Sequence, residues 1–265
     1  MRGLALAAGD TVAHMTEPIL FTVDRGLARI TLNRPERLNA FDGPTGHQWA
    51  DLTAEAVARD DVAAVLIDAN GPAFCAGGDV RAMVELGSGE GLTELAGVIN
   101  RGILSLVESE VPVVAAAHGT TVGGGLGILL SGDYAVVGES SKLGSLYANM
   151  GLTPDLSVSA QLARAVGERR ALQLVLTPRM LSGAEAVEWG LAAEVVPDAE
   201  VGTRAEAVAR AWIDGAASAY GRAKRLVRDA ARTSLREQLD AEARSIGAAY
   251  ETPEARRLTA AFASR

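Results

Sequence analysis

The chain has 265 residues, 48% apolar and 22% charged, and 25 basic against 33 acidic side chains give a formal charge of −8. It is too apolar for disorder and long enough to bury about three quarters of the surface its unfolded form exposes. The acidic balance argues against a nucleic-acid or anionic-membrane partner; a single cysteine, Cys75, excludes an intrachain disulfide, and with three histidines it is too little for a structural zinc site.

No apolar run approaches the roughly 18 residues of a membrane span. Arg2 precedes only five apolar residues, Leu4 to Ala8, short of the roughly 7–15 of a secretory core. Residues 1–15 therefore read as a flexible extension and the chain as cytoplasmic. Strands are predicted at 18–23 and 27–32 around Asp24-Arg25-Gly26, where Ala28, Ile30 and Leu32 alternate with Arg29 and Thr31. A helix follows at 44–59, with Pro44 near its start and Trp49, Leu52 and Ala56 on one face. Val62 to Ile67 is continuously apolar, as in a strand covered on both faces. A glycine-rich loop spans 71–78, a helix starts near Asp79, and another fills 92–108. Val111 to Ala117 is the next buried strand. A second glycine-rich loop runs from Gly119 to Gly127 into a short helix, and Tyr134 to Val137 is again strand.

After Thr153-Pro154-Asp155 the chain reads helical. Ser182 with Glu185 makes a capping box, Gly190 suits the end of that helix, and Ala192 to Val196 is a last strand. From 203 onward the pattern is helix only. Ala205, Val208, Ala209 and Trp212 form one stripe, Leu235, Leu239, Ile246 and Tyr250 a second, and Thr252-Pro253-Glu254 opens a third helix. The prediction is an α/β core over 16–202 and an all-helical region over 203–265.

Several chemistries are absent. The two lysines, Lys142 and Lys224, do not follow a glycine, so there is no Walker A loop. Residues 123–127 do not fit GxGxxG, and no GxSxG elbow occurs. His14, His47 and His118 are isolated and read as structural or solvated. Arg222, Lys224, Arg225 and Arg228 read as a solvated helix face, with phosphate contact as the alternative. Cys75 reads as a small pocket-wall residue. The informative feature is the pair of loops, Gly71-Pro-Ala-Phe-Cys-Ala-Gly-Gly-Asp79 and His118-Gly-Thr-Thr-Val-Gly-Gly-Gly-Leu-Gly127. Each joins a buried strand to a helix and leaves approachable N–H groups. They are either ordinary tight turns or two halves of an oxyanion hole, in which one donor can be worth roughly 2.7–4 kcal/mol.

These loops, with Leu32-Asn-Arg-Pro-Glu-Arg-Leu-Asn-Ala40 upstream, resemble the crotonase (enoyl-CoA hydratase/isomerase) superfamily. The resemblance implies a spiral of ββα units with a C-terminal helical region for oligomerisation, as a homotrimer or dimer of trimers. It implies an acyl-CoA substrate and neither metal nor other cofactor, coenzyme A being part of the substrate. By the same resemblance Gly78 and Gly124 donate to the thioester oxygen, and Arg37, Leu38, Ala40 and Ala76 line the CoA groove. Val80, Val122 and Tyr147 are further substrate-binding positions. Asp79 is either another of these or a helix cap.

The family's hydratases carry two glutamates, and the matching positions here are Gly127 and Tyr147. Without that pair a water cannot be held between general acid and base. One carboxylate remains in a recognised position, Asp155, which resembles the aspartate of dienoyl-CoA isomerases and of ring-expanding epoxyphenylacetyl-CoA isomerases. It also resembles that of the 4-chlorobenzoyl-CoA dehalogenase group, along with Gly123 to Ile128, Leu162 to Gly167 and the aromatic Tyr147; that group's histidine is replaced by Asn100. Asp155 could otherwise be a helix cap. The expectation is double-bond isomerisation with Asp155 as proton shuttle. Rivals are hydration with a carboxylate from 85–94, Asp-nucleophile hydrolysis or dehalogenation, and a non-catalytic acyl-CoA-binding subunit.

Overall fold

The computed structural model describes residues 17–264, and the extension expected over 1–15 lies outside them. Strands β1 (Ile19–Asp24) and β2 (Leu27–Leu32) form an antiparallel hairpin that pairs Ile19 with Leu32 and Asp24 with Leu27. Arg25 and Gly26 carry the positive φ angles that its two-residue turn needs. Helix α1 (Gly43–Ala58) follows, its N-terminus capped by Asp42, which accepts from the Thr45 amide. Strand β3 (Ala64–Ala69) starts two residues later than the apolar run suggests, because Val62 donates to Arg59 in the turn leaving α1.

β3 pairs in parallel with β2 and with β5 (Val113–Ala117). β7 (Tyr134–Gly138) and β10 (Glu194–Val196) continue the sheet in the order β1-β2-β3-β5-β7-β10. A second sheet has the order β4-β6-β8-β9. It is built from three-residue strands: β4 (Ala73–Cys75), β6 (Thr120–Val122), β8 (Lys142–Gly144) and β9 (Met180–Ser182). β4 and β6 lie inside the segments expected to be loop throughout.

The chain repeatedly passes from one sheet to the other and then into a helix. β3 and β4 lead to α2 (Val80–Leu86), β5 and β6 to α4 (Gly124–Leu130), and β7 and β8 toward α5 (Val158–Val166). These are the ββα turns of the expected spiral. Helix α3 (Gly89–Glu108) packs on α1, where Gly102 lies against Trp49 and Trp49 Nε1 donates to the Ile99 carbonyl at 3.2 Å. Helix α6 (Glu168–Val175) follows α5, and α7 (Gly183–Trp189) carries the Ser182/Glu185 capping box, with Gly190 at φ 81° ending it.

The region expected to be a tail divides in two. α8 (Val201–Asp214) packs Val201, Ala205, Val208 and Ala209 against Leu66, Val114 and Val136 of the first sheet. It is therefore part of the core. α9 (Ala217–Asp229), α10 (Leu235–Tyr250) and α11 (Pro253–Ala263) lie beyond it. α10 and α11 bury no residue, and Leu235, Leu239, Ile246, Tyr250, Leu258 and Phe262 are exposed. No helix among the described residues is long and apolar enough to cross a membrane.

α9 is anchored by Lys224, which is buried and not on a solvated face. Its ammonium donates to the carbonyls of Leu106 (2.6 Å) and Val111 (2.7 Å) and pairs with Asp133 at 3.0 Å. Carbonyls at the end of α3 have no intrahelical partner, and a cation there satisfies them and the helix dipole. Burial pushes the Lys224 pKa down, and Asp133 opposes that shift. Arg228 adds bonds to Gly132 (3.0 Å) and Asp133 (2.9 Å). Lys224→Met is predicted to lower the free energy of unfolding by about 1–3 kcal/mol in urea titrations, because it leaves two buried carbonyls without their donor while Asp133 keeps Arg228. An unchanged midpoint would contradict the anchoring role.

Candidate active site

The two glycine loops meet in the core. A Cβ built on Gly77 (φ 94°) would lie 3.0 Å from the Val122 carbonyl oxygen and 3.1 Å from the Gly124 nitrogen. Only a residue without a side chain allows that approach and that φ together. The first loop is fixed from below by Asn39. Its amide donates to the carbonyls of Asn70 (2.9 Å) and Ala73 (2.8 Å), and its oxygen accepts from the Arg34 amide at 2.7 Å. Phe41 and Gly78 form a single parallel bridge in which the Phe41 amide donates to Gly77 and the Asp79 amide to Phe41. That pattern turns the N–H of Gly78 away from the bridge. Gly124 is the first residue of α4, so its N–H has no intrahelical acceptor. Neither amide donates to a main-chain carbonyl among the described residues.

Beside these amides is a cavity of about 250 Å³. Ala76, Gly77, Gly78, Gly123 and Gly124 form one end, and Asp155 and Tyr147 a side. The rest is mostly apolar, from Phe41, Met83 of α2, Leu92, Leu95 and Ile99 of α3, and Leu152, with Thr93 and Thr153 as its polar members. These apolar residues were not singled out in the sequence. The spacing 92, 95, 96, 99 of α3 was the available signal, and it reads equally well as core packing.

Asp155 is half-buried, and Tyr147 is buried at 6% exposure. The Tyr147 hydroxyl donates to Asp155 Oδ1 at 2.5 Å. Burial raises the Asp155 pKa, and the hydrogen bond from Tyr147 lowers it; burial prevails. Burial and the neighbouring Asp155 push the Tyr147 pKa far up, so it stays a protonated donor. Asp155 does not cap α5. The cap position is Ser157, which makes no side-chain capping bond, and Asp155 contributes only its carbonyl, to the Val158 amide at 2.9 Å. Leu156 and Ser157 both have left-handed φ, 46° and 66°, and Leu146 before Tyr147 has φ 54°. Such backbone is uncommon for leucine and costs of order 1–3 kcal/mol per residue.

The two hydratase-glutamate positions are closed by different means. A Cβ on Gly127 would run into the Leu156 carbonyl oxygen. Tyr147 fills the other position and turns its hydroxyl to Asp155, where a contact to the acyl group was one expectation. Glu85, Glu90 and Glu94 are exposed and do not line the cavity, nor does Asn100. Asp155 is the one carboxylate lining the cavity among the described residues.

Of the other expected positions, Ala76 lines the cavity, and its amide donates to Leu38 at 2.9 Å. Leu38 and Arg37 are exposed at that edge, Val80 is exposed at the start of α2, and Val122 is half-buried behind the second loop; none of the four lines the cavity. Ala40 is buried, and its carbonyl accepts from Arg34. Asp79 is the cap of α2 and does not line the cavity. It accepts from the Arg81 and Ala82 amides and pairs with Arg34 at 3.2 Å, and these partners hold its pKa low against the opposing effect of burial. Arg34 also pairs with Asp42 at 2.8 Å, so one guanidinium ties the caps of α1 and α2. Cys75 lies beneath the first loop, not on the cavity wall, and donates to the Asn39 carbonyl at 3.1 Å. Burial pushes its thiol up to about 12, which removes it as a nucleophile. His118 Nε2 lies 2.7 Å from the Gly71 carbonyl, a structural contact, and His47 is exposed.

The family model described as enoyl-CoA hydratase/isomerase matches residues 22–265. A 1,2-epoxyphenylacetyl-CoA isomerase from Escherichia coli K12 is 32% identical over 231 residues, covering 86% of this chain and 88% of its own. The crystal structure of an enoyl-CoA hydratase from Mycobacterium smegmatis superposes with a TM-score of 0.88 at 25% identity, covering 93% of this chain and 96% of that one. A structure from Thermobifida fusca YX in complex with CoA gives 0.80 at 30% identity, covering 88% and 92%.

Gly127→Ala is predicted to lower stability by about 1–3 kcal/mol, since a methyl at this site must displace the Leu156 backbone. Thermal unfolding checks it. A variant as stable as the parent would mean that the 155–157 segment yields freely.

Proposed function

The chain belongs to the enoyl-CoA hydratase/isomerase family, and from that premise we propose that it moves a double bond in an acyl-CoA thioester, with Asp155 as the proton carrier. The observation that carries this reading is the carboxylate inventory. Asp155 is the cavity's one carboxylate among the described residues, where hydration needs two.

The thioester oxygen is placed between the amides of Gly78 and Gly124. Two fixed dipoles there stabilise the negative charge that develops on that oxygen. Asp155 takes a proton from C2 of a 3-enoyl thioester, and the electron pair passes into the carbonyl as a dienolate. The charge returns through the chain, the double bond forms between C2 and C3, and Asp155 delivers the proton to C4. One carboxylate serves both steps, and no atom is gained or lost. Burial helps by raising the pKa of Asp155 from the ordinary carboxylate range toward working pH. The CoA moiety leaves past Ala76 and Leu38, with Arg37 at the exposed edge.

Hydrolysis through an Asp155 ester lacks a nitrogen base, since Asn100 stands at the expected position and does not line the cavity. A pure binding subunit has no use for two unpaired amides beside a carboxylate. The exposed apolar residues of α10 and α11 support assembly of the chain as a trimer or a dimer of trimers. Light scattering that gives a monomer would remove that part of the proposal.

In deuterated water, a 3-enoyl-CoA is predicted to isomerise, with partial uptake of label where the proton on Asp155 exchanges with solvent before its return. Asp155→Asn should lower kcat/KM by about 10²–10⁴-fold. Hydration of crotonyl-CoA should be slow, and ready hydration by the wild type would contradict the proposal.

A further inference from the structure

Tyr147 has one O–H to donate, and it is spent on Asp155 Oδ1. No other side chain among the described residues hydrogen-bonds that carboxylate. Both partners sit on backbone that has little freedom to relax. Leu146 enters the turn Tyr147–Met150 in a left-handed conformation, and Leu156 and Ser157 leave Asp155 in two more. Such conformations persist where the surrounding structure over-determines them. The 155–157 segment is wedged against Gly124 and Gly127 of α4, with Leu156 Cδ1 2.7 Å from where a Gly124 Cβ would be. The relative position of hydroxyl and carboxylate is thus set by the fold.

We propose that Tyr147 is a positioning residue that pins Oδ1 of Asp155, so that Oδ2 alone carries the proton between the two substrate carbons. The inference rests on the shuttle reading above. A single pinned oxygen keeps removal and return of the proton on one face of the acyl chain and limits loss of the proton to solvent. A carboxylate free to rotate would present either oxygen and a wider range of distances, and small misplacements of a reacting group are costly in rate.

The electrostatics agree with this role. The Tyr147 hydrogen bond is the side-chain contact that lowers the Asp155 pKa against burial. The elements facing the pair add no other charge. α2 offers Met83 and α3 offers Leu92, Leu95 and Ile99, while the second loop contributes Gly123 and Gly124. Cys75 on β4 is the other titratable group nearby, and its thiol stays neutral below about 12.

The test compares Tyr147→Phe and Asp155→Asn with the wild type, using pH profiles of kcat/KM and the fate of deuterium placed at C2. Removing the donor removes a contribution that lowers the Asp155 pKa, so the acid limb should move to higher pH by about one to two units. Transfer of label from C2 to C4 should fall, and washout to solvent should rise. An unmoved acid limb with unchanged label transfer overturns the role of Tyr147, while loss of activity in Asp155→Asn leaves the shuttle standing. Full activity in Asp155→Asn instead removes the shuttle itself. If Tyr147→Phe does not fold, 3-fluorotyrosine labelling of the wild type reads the same contact. A fluorine resonance should then track one titration in the wild type and lose it in Asp155→Asn, and the absence of such a resonance overturns the inference.

Discussion

The two glycine loops touch through main-chain atoms, and the site can exist only because no side chain intervenes there. Gly77 at φ 94° lies against Val122 and Gly124, and Gly125 lies against the carbonyl of Cys75. Any Cβ at these points would push α4 away from β4. Gly78 and Gly124 line the same cavity, and such a displacement would draw them apart. The short second sheet serves this contact. β4 and β6 pair in parallel and deliver both loops to the same end of the sheet.

A second closure shapes the cavity. The segment around Leu156 lies so close to α4 that position 127 admits no side chain. Tyr147 then occupies the remaining place where a second carboxylate would act. The same crowding buries Asp155 and gives it one side-chain hydrogen-bond donor, which with its own backbone amide limits the rise of its pKa. The closure of position 127 and the burial of Asp155 are therefore two results of one packing arrangement.

Much of this was legible in the chain. The hairpin, α1, α3, the capping box of α7 and the parallel strands follow from period, turn residues and caps, which are local signals. The two loops stand out by their glycine content, and Asp155 by its resemblance to a family. Four strands of the second sheet were harder, because three residues are too few to show alternation and two of the strands sit among glycines. Lys224 read as a surface charge because its partners are carbonyls 113 and 118 residues away. Asp79 was legible as a helix cap, but its pairing with Arg34, 45 residues away, was not. The bond from Tyr147 to Asp155 depends on three left-handed residues that no composition or period announces.

The most direct measurement is a crystal structure with an unreactive 3-enoyl-CoA analogue bound. The account predicts the thioester oxygen within about 3 Å of both the Gly78 and Gly124 nitrogens, with Asp155 Oδ2 facing C2 and C4 from one side of the chain. An analogue whose carbonyl oxygen points away from either amide, or whose C2 and C4 lie beyond the reach of Asp155, would contradict it.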